Sequence, residues 1–244
     1  MSEAAEFVRP FRLDGHNDEA VVLLHGFTGH AGHWRPVAAE LHAAGYTVTA
    51  PLLAGHSGGA EEMAAAGWRH WLATAREAAD DVADHRRVHL AGLSLGGLLA
   101  IMIAQDTAAA SIATLNSPLL VRNWRAYFAP FARRLIPSVA AVPGPVPDDE
   151  LAYLWFPHSS HSTEAVAALM TVIRKAWWAA GRIRRPTLVL QSRRDDAVFP
   201  VSGRLLARRL GTTVRWIDTA HNALLDRRRS EVAETLLAHL ANSD

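Results

Sequence analysis

The chain has 244 residues, half of them hydrophobic, and a formal net charge of +1. That length supports one substantial domain with a buried core. Basic and acidic residues are scattered along it, which leaves no electrostatic footprint for nucleic acid or an anionic membrane, and the absence of cysteine excludes disulfides, thiolate zinc sites and a cysteine nucleophile. The expected partner is therefore a small molecule, and no feature sets an oligomeric state. No apolar run reaches the ~18 residues of a membrane span. Met1 to Pro10 carries Glu3 and Glu6 without an apolar core segment, so no signal peptide is expected and a cytoplasmic location follows.

In chain order, Val21-Val22-Leu23-Leu24 is a continuous apolar run ended by Gly26, the pattern of a strand buried on both faces. From Trp34 to Ala44 the residues Trp34, Val37, Ala38 and Leu41 recur at helical spacing, with Pro36 near the start and Gly45 at the end. Tyr46 to Ala50 reads as a strand, Trp68 to Arg87 as a long helix and Val88 to Leu93 as a third strand. The alternation predicts a parallel sheet. Leu95, Leu98, Leu99, Met102 and Ile103 give the stripe of a helix starting directly after Ser94. Ile112 to Leu115 is a further strand.

The alternation then stops. Residues 118–185 are expected to be an inserted, mostly helical cap on a single domain spanning 1–244. They hold Pro130, Pro137, Pro143, Pro145, Pro147 and Pro157 with Trp124, Tyr127, Phe128, Phe131, Trp155, Phe156, Trp177 and Trp178. Such a stretch is too aromatic for a disordered linker, and most of its aromatic side chains are expected to pack the cap onto the body. The sheet pattern resumes with Thr187 to Leu190, a helix over Ser202 to Leu210, the strand Thr213 to Ile217 and a terminal helix with Val232, Leu236, Leu237 and Leu240 on one face.

Gly92-Leu93-Ser94-Leu95-Gly96 matches G-x-S-x-G, in which a serine occupies a sharp strand-to-helix turn. Both flanking elements are predicted here, which separates this match from a chance glycine-rich turn. The helix start also offers free N–H groups and a positive dipole end where negative charge develops in acyl transfer. A second glycine-containing turn, His25-Gly26-Phe27-Thr28-Gly29, follows the first strand. The backbone N–H groups of Phe27 and Leu95 are the expected oxyanion donors, and His25 is expected only to brace the loop.

A serine hydroxyl needs a histidine to take its proton and a carboxylate to fix that histidine's tautomer. Of 13 histidines, His221 follows the last strand and precedes the terminal helix, the place this catalytic order requires. His239 lies on the polar side of that helix and is expected to be solvated, and His158 and His161 are expected at the cap surface. Asp195 and Asp196 both follow the strand from Thr187, and spacing does not choose between them. Asp218 is expected to serve a turn. Asn116, at the end of the strand before the cap, is set aside because an amide supplies no charge. His30 with His33, or His158 with His161, lacks a carboxylate at ligand spacing, so no metal and no cofactor are expected. Arg227-Arg228-Arg229 reads as a solvated face.

Taken together, Leu24-His25-Gly26-Phe27-Thr28-Gly29, Gly55-His56, Gly92-Leu93-Ser94-Leu95-Gly96-Gly97, Arg194-Asp195-Asp196-Ala197-Val198-Phe199-Pro200 and Ala220-His221-Asn222 resemble the thermostable carboxylesterase and bacterial monoacylglycerol lipase group of α/β hydrolases. The resemblance implies the α/β-hydrolase fold, with a mostly parallel doubly wound sheet, and places the catalytic carboxylate on Asp195, beside Ser94 and His221. It implies a serine hydrolase of carboxylic esters, monoacylglycerols among them, and a structural role for His56. Departures are Ala220 where the group has glycine and Ser57 where it continues G-H-G. The same three residues would also serve thioester, peroxyacid or carbon–carbon cleavage, or a ligand sensor with little turnover.

Overall fold

The computed structural model describes residues 3–56, 58–141, 149–154 and 160–243. Ser57, Pro143, Pro145, Pro147, Trp155, Phe156, Pro157 and His158 lie outside them. The elements run α1 (Glu3–Val8), β1 (Phe11–Leu13), β2 (Glu19–Leu24), α2 (Arg35–Ala43), β3 (Thr47–Ala50), α3 (Ala60–Asp80), β4 (Arg87–Leu93), α4 (Leu95–Ile103) and β5 (Ser111–Leu115). They continue with α5 (Ala129–Ala132), β6 (Ser138–Ala140), β7 (Ser160–Ser162), α6 (Thr163–Ala180), β8 (Thr187–Ser192), α7 (Val201–Leu210), β9 (Val214–Ile217) and α8 (Arg229–Ala241).

One seven-stranded sheet has the order β1-β3-β2-β4-β5-β8-β9. Edge strand β1 pairs antiparallel with β3, and every other neighbouring pair is parallel. The β2–β4 register, Glu19 opposite Arg87 through Leu24 opposite Gly92, brings the carboxyl ends of both strands to one rim. On one face Ala20, Val22 and Leu24 meet Leu98 and Leu99 of α4, Trp71 of α3 and Val172 and Ala176 of α6. On the other, Val21 and Leu23 meet Val37 and Leu41 of α2 and Val232 and Leu236 of α8. Each leucine so buried contributes about 1.5–3 kcal/mol, and covering both faces is why β2 is apolar without alternation.

Three local differences from the sequence reading have physical causes. Helix α3 starts at Ala60, eight positions before Trp68, and is broken at Gly67, whose φ of 63° and ψ of 177° are not helical. Within 118–185, α6 packs against α3 and α4 and puts Ala165, Leu169, Val172 and Ile173 into the sheet-face core. Parallel neighbours such as β5 and β8 are joined by a crossover that is usually helical. Most of the described aromatic residues within 118–185 do not pack inward as expected: Trp124, Phe128, Phe131 and Trp178 are exposed, Phe131 at 84%. The short strands β6 and β7 form a separate antiparallel pair, and the Thr163 N–H donates to the Pro137 carbonyl at 3.0 Å, tying this pair to α6.

Among the described residues no helix is long and apolar enough to cross a membrane.

Candidate active site

Ser94 stands between β4 and α4 with φ 53° and ψ −115°, a conformation that costs a non-glycine residue about 1–3 kcal/mol. The surrounding chain holds it there. Its N–H donates to the Leu115 carbonyl at 2.7 Å, and its carbonyl accepts from the Ser117 hydroxyl and the Gly97 N–H, both at 3.1 Å. The flanking glycines let the backbones meet: a Cβ on Gly92 would overlap the Gly96 main chain, and one on Gly96 would overlap the Leu24 carbonyl. Ser94 itself is 8% exposed. At its back, the first turn of α4 has N–H groups without partners inside the helix, Leu95 among them.

The loop after β2 lies against this elbow, since a Cβ on Gly26 would sit 3.4 Å from Ser94 Cβ. His25 fixes the loop from beneath. Its Nδ1–H donates to the Gly26 carbonyl at 2.9 Å and its Nε2 accepts from the Leu53 N–H at 3.0 Å. Burial, then the neighbouring His56, push its pKa well below the ordinary 6.5, so it is a neutral brace. Phe27 comes next, its ring edge-on to Trp71 at 6.0 Å and to His161 at 5.6 Å between centroids. His56 packs on His25 and Trp71, in keeping with a structural role.

The loops after β8 and β9 meet at the same rim. Asp195, 1% exposed, turns back on its own loop: Oδ1 accepts from the N–H groups of Ala197 at 3.0 Å and Val198 at 2.7 Å. His221 directs Nδ1 at this carboxylate, 3.0 Å from each oxygen, and its side chain is 21% exposed. Asp196 instead accepts the His221 backbone N–H at 3.0 Å. The pair that spacing left open thus divides between ring and main chain. Burial alone would lower the imidazole pKa; the Asp195 charge and hydrogen bond, with the Asp196 charge, outweigh it and hold the pKa above its ordinary value. With Nδ1–H donated to Asp195, Nε2 is left as the basic nitrogen. Asp218 ion-pairs with Arg194 at 2.8 Å, clasping the two loops together.

Ser94 and His221 are linked through the end of β5. Leu115 and Ser117 hold the serine's main chain, and between them Asn116 Nδ2 donates to the His221 carbonyl at 2.7 Å. Sequence reasoning sets Asn116 aside as uncharged and passes over Gln191 and Ser192. Their signal was polarity at the ends of otherwise apolar strands. The remaining histidines take other roles. His30 and His33 both direct Nε2 at the Leu154 carbonyl, at 3.0 and 3.1 Å. His239, expected to be solvated, is half-buried and bonds the Ile112 carbonyl at 3.0 Å, because α8 lies on the sheet face.

Comparison with known proteins agrees with this architecture. A 24% identical relative is a carboxylesterase of Bacillus subtilis (strain 168), covering 97% of both chains. Another, the thermostable monoacylglycerol lipase of Bacillus sp. (strain H-257), is 27% identical over 91% of this chain and 90% of its own. They represent the two activities of the group that the motifs resemble. A solved structure from work on LipS and LipT, two metagenome-derived lipolytic enzymes, superposes with a TM-score of 0.85 at 26% identity, covering 95% of this chain and 96% of that one. Monoacylglycerol lipase of Paleococcus ferrophilus shares the fold with a TM-score of 0.80 at 19% identity, over 96% and 98%. Residues 21–235, from β2 into the terminal helix, match the model of the alpha/beta hydrolase family, and with the elbow serine, the parallel sheet and the late histidine in place the chain belongs to that family.

Proposed function

We propose that the protein is a serine hydrolase of carboxylic esters, of the carboxylesterase or monoacylglycerol lipase kind, with Ser94 as nucleophile, His221 as general base and Asp195 as the carboxylate that orients it. One observation carries the reading: the His221 imidazole is hydrogen-bonded through Nδ1 to a buried carboxylate, at the rim where a strained serine begins a helix. Ser94 Oγ attacks the ester carbonyl while His221 Nε2 takes its proton. The backbone N–H groups of Phe27 and Leu95 hold the negative oxygen. The alcohol leaves with the proton from His221, and water repeats the sequence on the acyl-enzyme. Likeness to a carboxylesterase and a monoacylglycerol lipase supports small ester substrates. Within 118–185, the part ahead of α6 is proposed to cap the site, in keeping with the Arg122 guanidinium donating to the Asp195 carbonyl at 3.0 Å and with the His161 contact to Phe27.

The test is a panel of monoacylglycerols, p-nitrophenyl esters and acyl thioesters, run on the wild type and Ser94→Ala with fluorophosphonate labelling. Sustained ester turnover that falls about 10³-fold or more in the variant is expected. Preference for thioesters would move the bond cleaved, and labelling without turnover would make the protein a sensor.

A further inference from the structure

A carboxamide sits where the acid strand, the histidine loop and the nucleophile strand converge. Asn116 follows β5 directly, is 1% exposed, and uses its whole hydrogen-bonding capacity. Nδ2 donates to Ser192 Oγ at 2.8 Å and to the His221 carbonyl at 2.7 Å. Oδ1 accepts from the Ser192 N–H at 2.6 Å and from Gln191 Nε2 at 3.2 Å. Two acceptors on one side and two N–H donors on the other fix the amide's orientation, since the flipped group would face donor with donor. Gln191 Nε2 also reaches Asp195 Oδ2 at 3.1 Å, so Asn116 touches the histidine loop directly and the carboxylate through one side chain. Its φ of 50° is in the left-handed region, where asparagine is several-fold enriched.

We infer that Asn116 is a positioning residue for the reaction: its amide locks the separation between the Asp195 loop and the His221 loop, and thereby the approach of the imidazole to Ser94. The inference rests on the proposed serine mechanism. A carboxylate could not replace this amide. It lacks both donors, so it would leave the His221 carbonyl with the Ala223 N–H as its remaining donor and set a third negative charge beside Asp195 and Asp196, the charged groups that already face His221. A misplacement of about 1 Å between such groups costs on the order of 10²-fold in rate.

Asn116→Asp and Asn116→Gly separate these effects, since both residues tolerate the positive φ. For Asn116→Asp, kcat should fall about 10- to 100-fold with KM within a few fold of wild type, and the acid limb of kcat/KM should move to higher pH. Asn116→Gly should lose kcat to a similar degree without raising that limb. In both, the downfield proton resonance of the His221 Nδ1–H should shift or broaden. A folded variant with wild-type kcat, pH limb and resonance overturns the inference while leaving the serine mechanism intact, provided Ser94→Ala is inactive. Full ester hydrolysis by Ser94→Ala overturns both. If neither Asn116 variant folds, the residue is a structural strut and the positioning role is wrong.

Discussion

Asp195 and Asp196 grip one histidine from two sides, the first through its ring nitrogen and the second through its backbone N–H. Their replacements should therefore differ sharply. Asp195→Asn removes the charge that stabilises the imidazolium and offers an NH2 that favours the wrong tautomer, a change that lowers kcat by about 10⁴-fold where it has been made in a serine triad. Asp196→Asn keeps a carbonyl oxygen able to accept the same N–H, so kcat should stay within about tenfold, the effect of roughly one hydrogen bond. Steady-state kinetics on one soluble ester decides the ranking. The opposite order would move the acid by one residue.

The same pairing sets the pH profile. Burial lowers the His221 pKa, but the charge and hydrogen bond of Asp195, with Asp196, raise it further, and the result lies above 6.5. A general base, the role proposed for His221, acts only when unprotonated, so kcat/KM should fall as pH drops through a value above 6.5. In Asp195→Asn the limb should move down. For folding the sign is the reverse of a brace: a raised histidine contributes stability below pH 6.5 and loses it as pH rises through the folded pKa. A limb at or below 6.5 in the wild type would contradict the electrostatic reading.

Much of this arrangement was written in local pattern. The runs of β2, β4, β5 and β8 and the stripe of α4 are apolar because the sheet is covered on both faces. What escaped was decided at long range. Asn116 was set aside because a charge was being sought; its partners Ser192 and His221 lie 76 and 105 residues away. Helix α6 carries the stripe that any packed helix would, so sequence could not show that it belongs to the layer with α3 and α4. Strand β1 is three residues long, at the sheet edge and only half-buried, too short for a period to register. Helix α3 begins at Ala60, and the non-helical Gly67 separates that first stretch from the one that starts at Trp68.

Three buried histidines near the amino-terminal loops should make the fold acid-sensitive. Burial is the largest cause in each: it lowers His25 well below 6.5, lowers His30, and carries His33 to about 3. These groups are neutral in the folded state and take up protons on unfolding, so stability is lost as pH falls below 6.5, for His33 down to about 3. At pH 5 each group still neutral in the fold costs about 2 kcal/mol relative to neutral pH. Thermal unfolding followed from pH 7 to 5 should show Tm falling throughout. His33→Gln, which keeps a donor for the Leu154 carbonyl, should have the shallower slope. Equal slopes would exclude His33 as a contributor.

At Gly96 the start of α4 lies directly against the end of β2 and the loop that follows it, the loop proposed to hold the oxyanion. A Cβ there would overlap the Leu24 carbonyl and stand 2.8 Å from the His25 carbonyl oxygen, both main-chain atoms that cannot rotate aside. In Gly96→Ala the start of α4 must therefore move away from the end of β2. Overpacking of this kind costs about 1–3 kcal/mol, which for a domain of this size corresponds to a Tm lower by roughly 2–12 °C. The chemical consequence should be larger than the loss of stability, because the displacement separates the Leu95 N–H on α4 from the Phe27 N–H beyond β2. Losing the proposed joint hold on the oxyanion should lower kcat by about 10²- to 10³-fold, while KM for a soluble ester should change little. A Gly96→Ala protein with lowered Tm and unaltered kcat would show that the two N–H groups do not act together on the oxyanion.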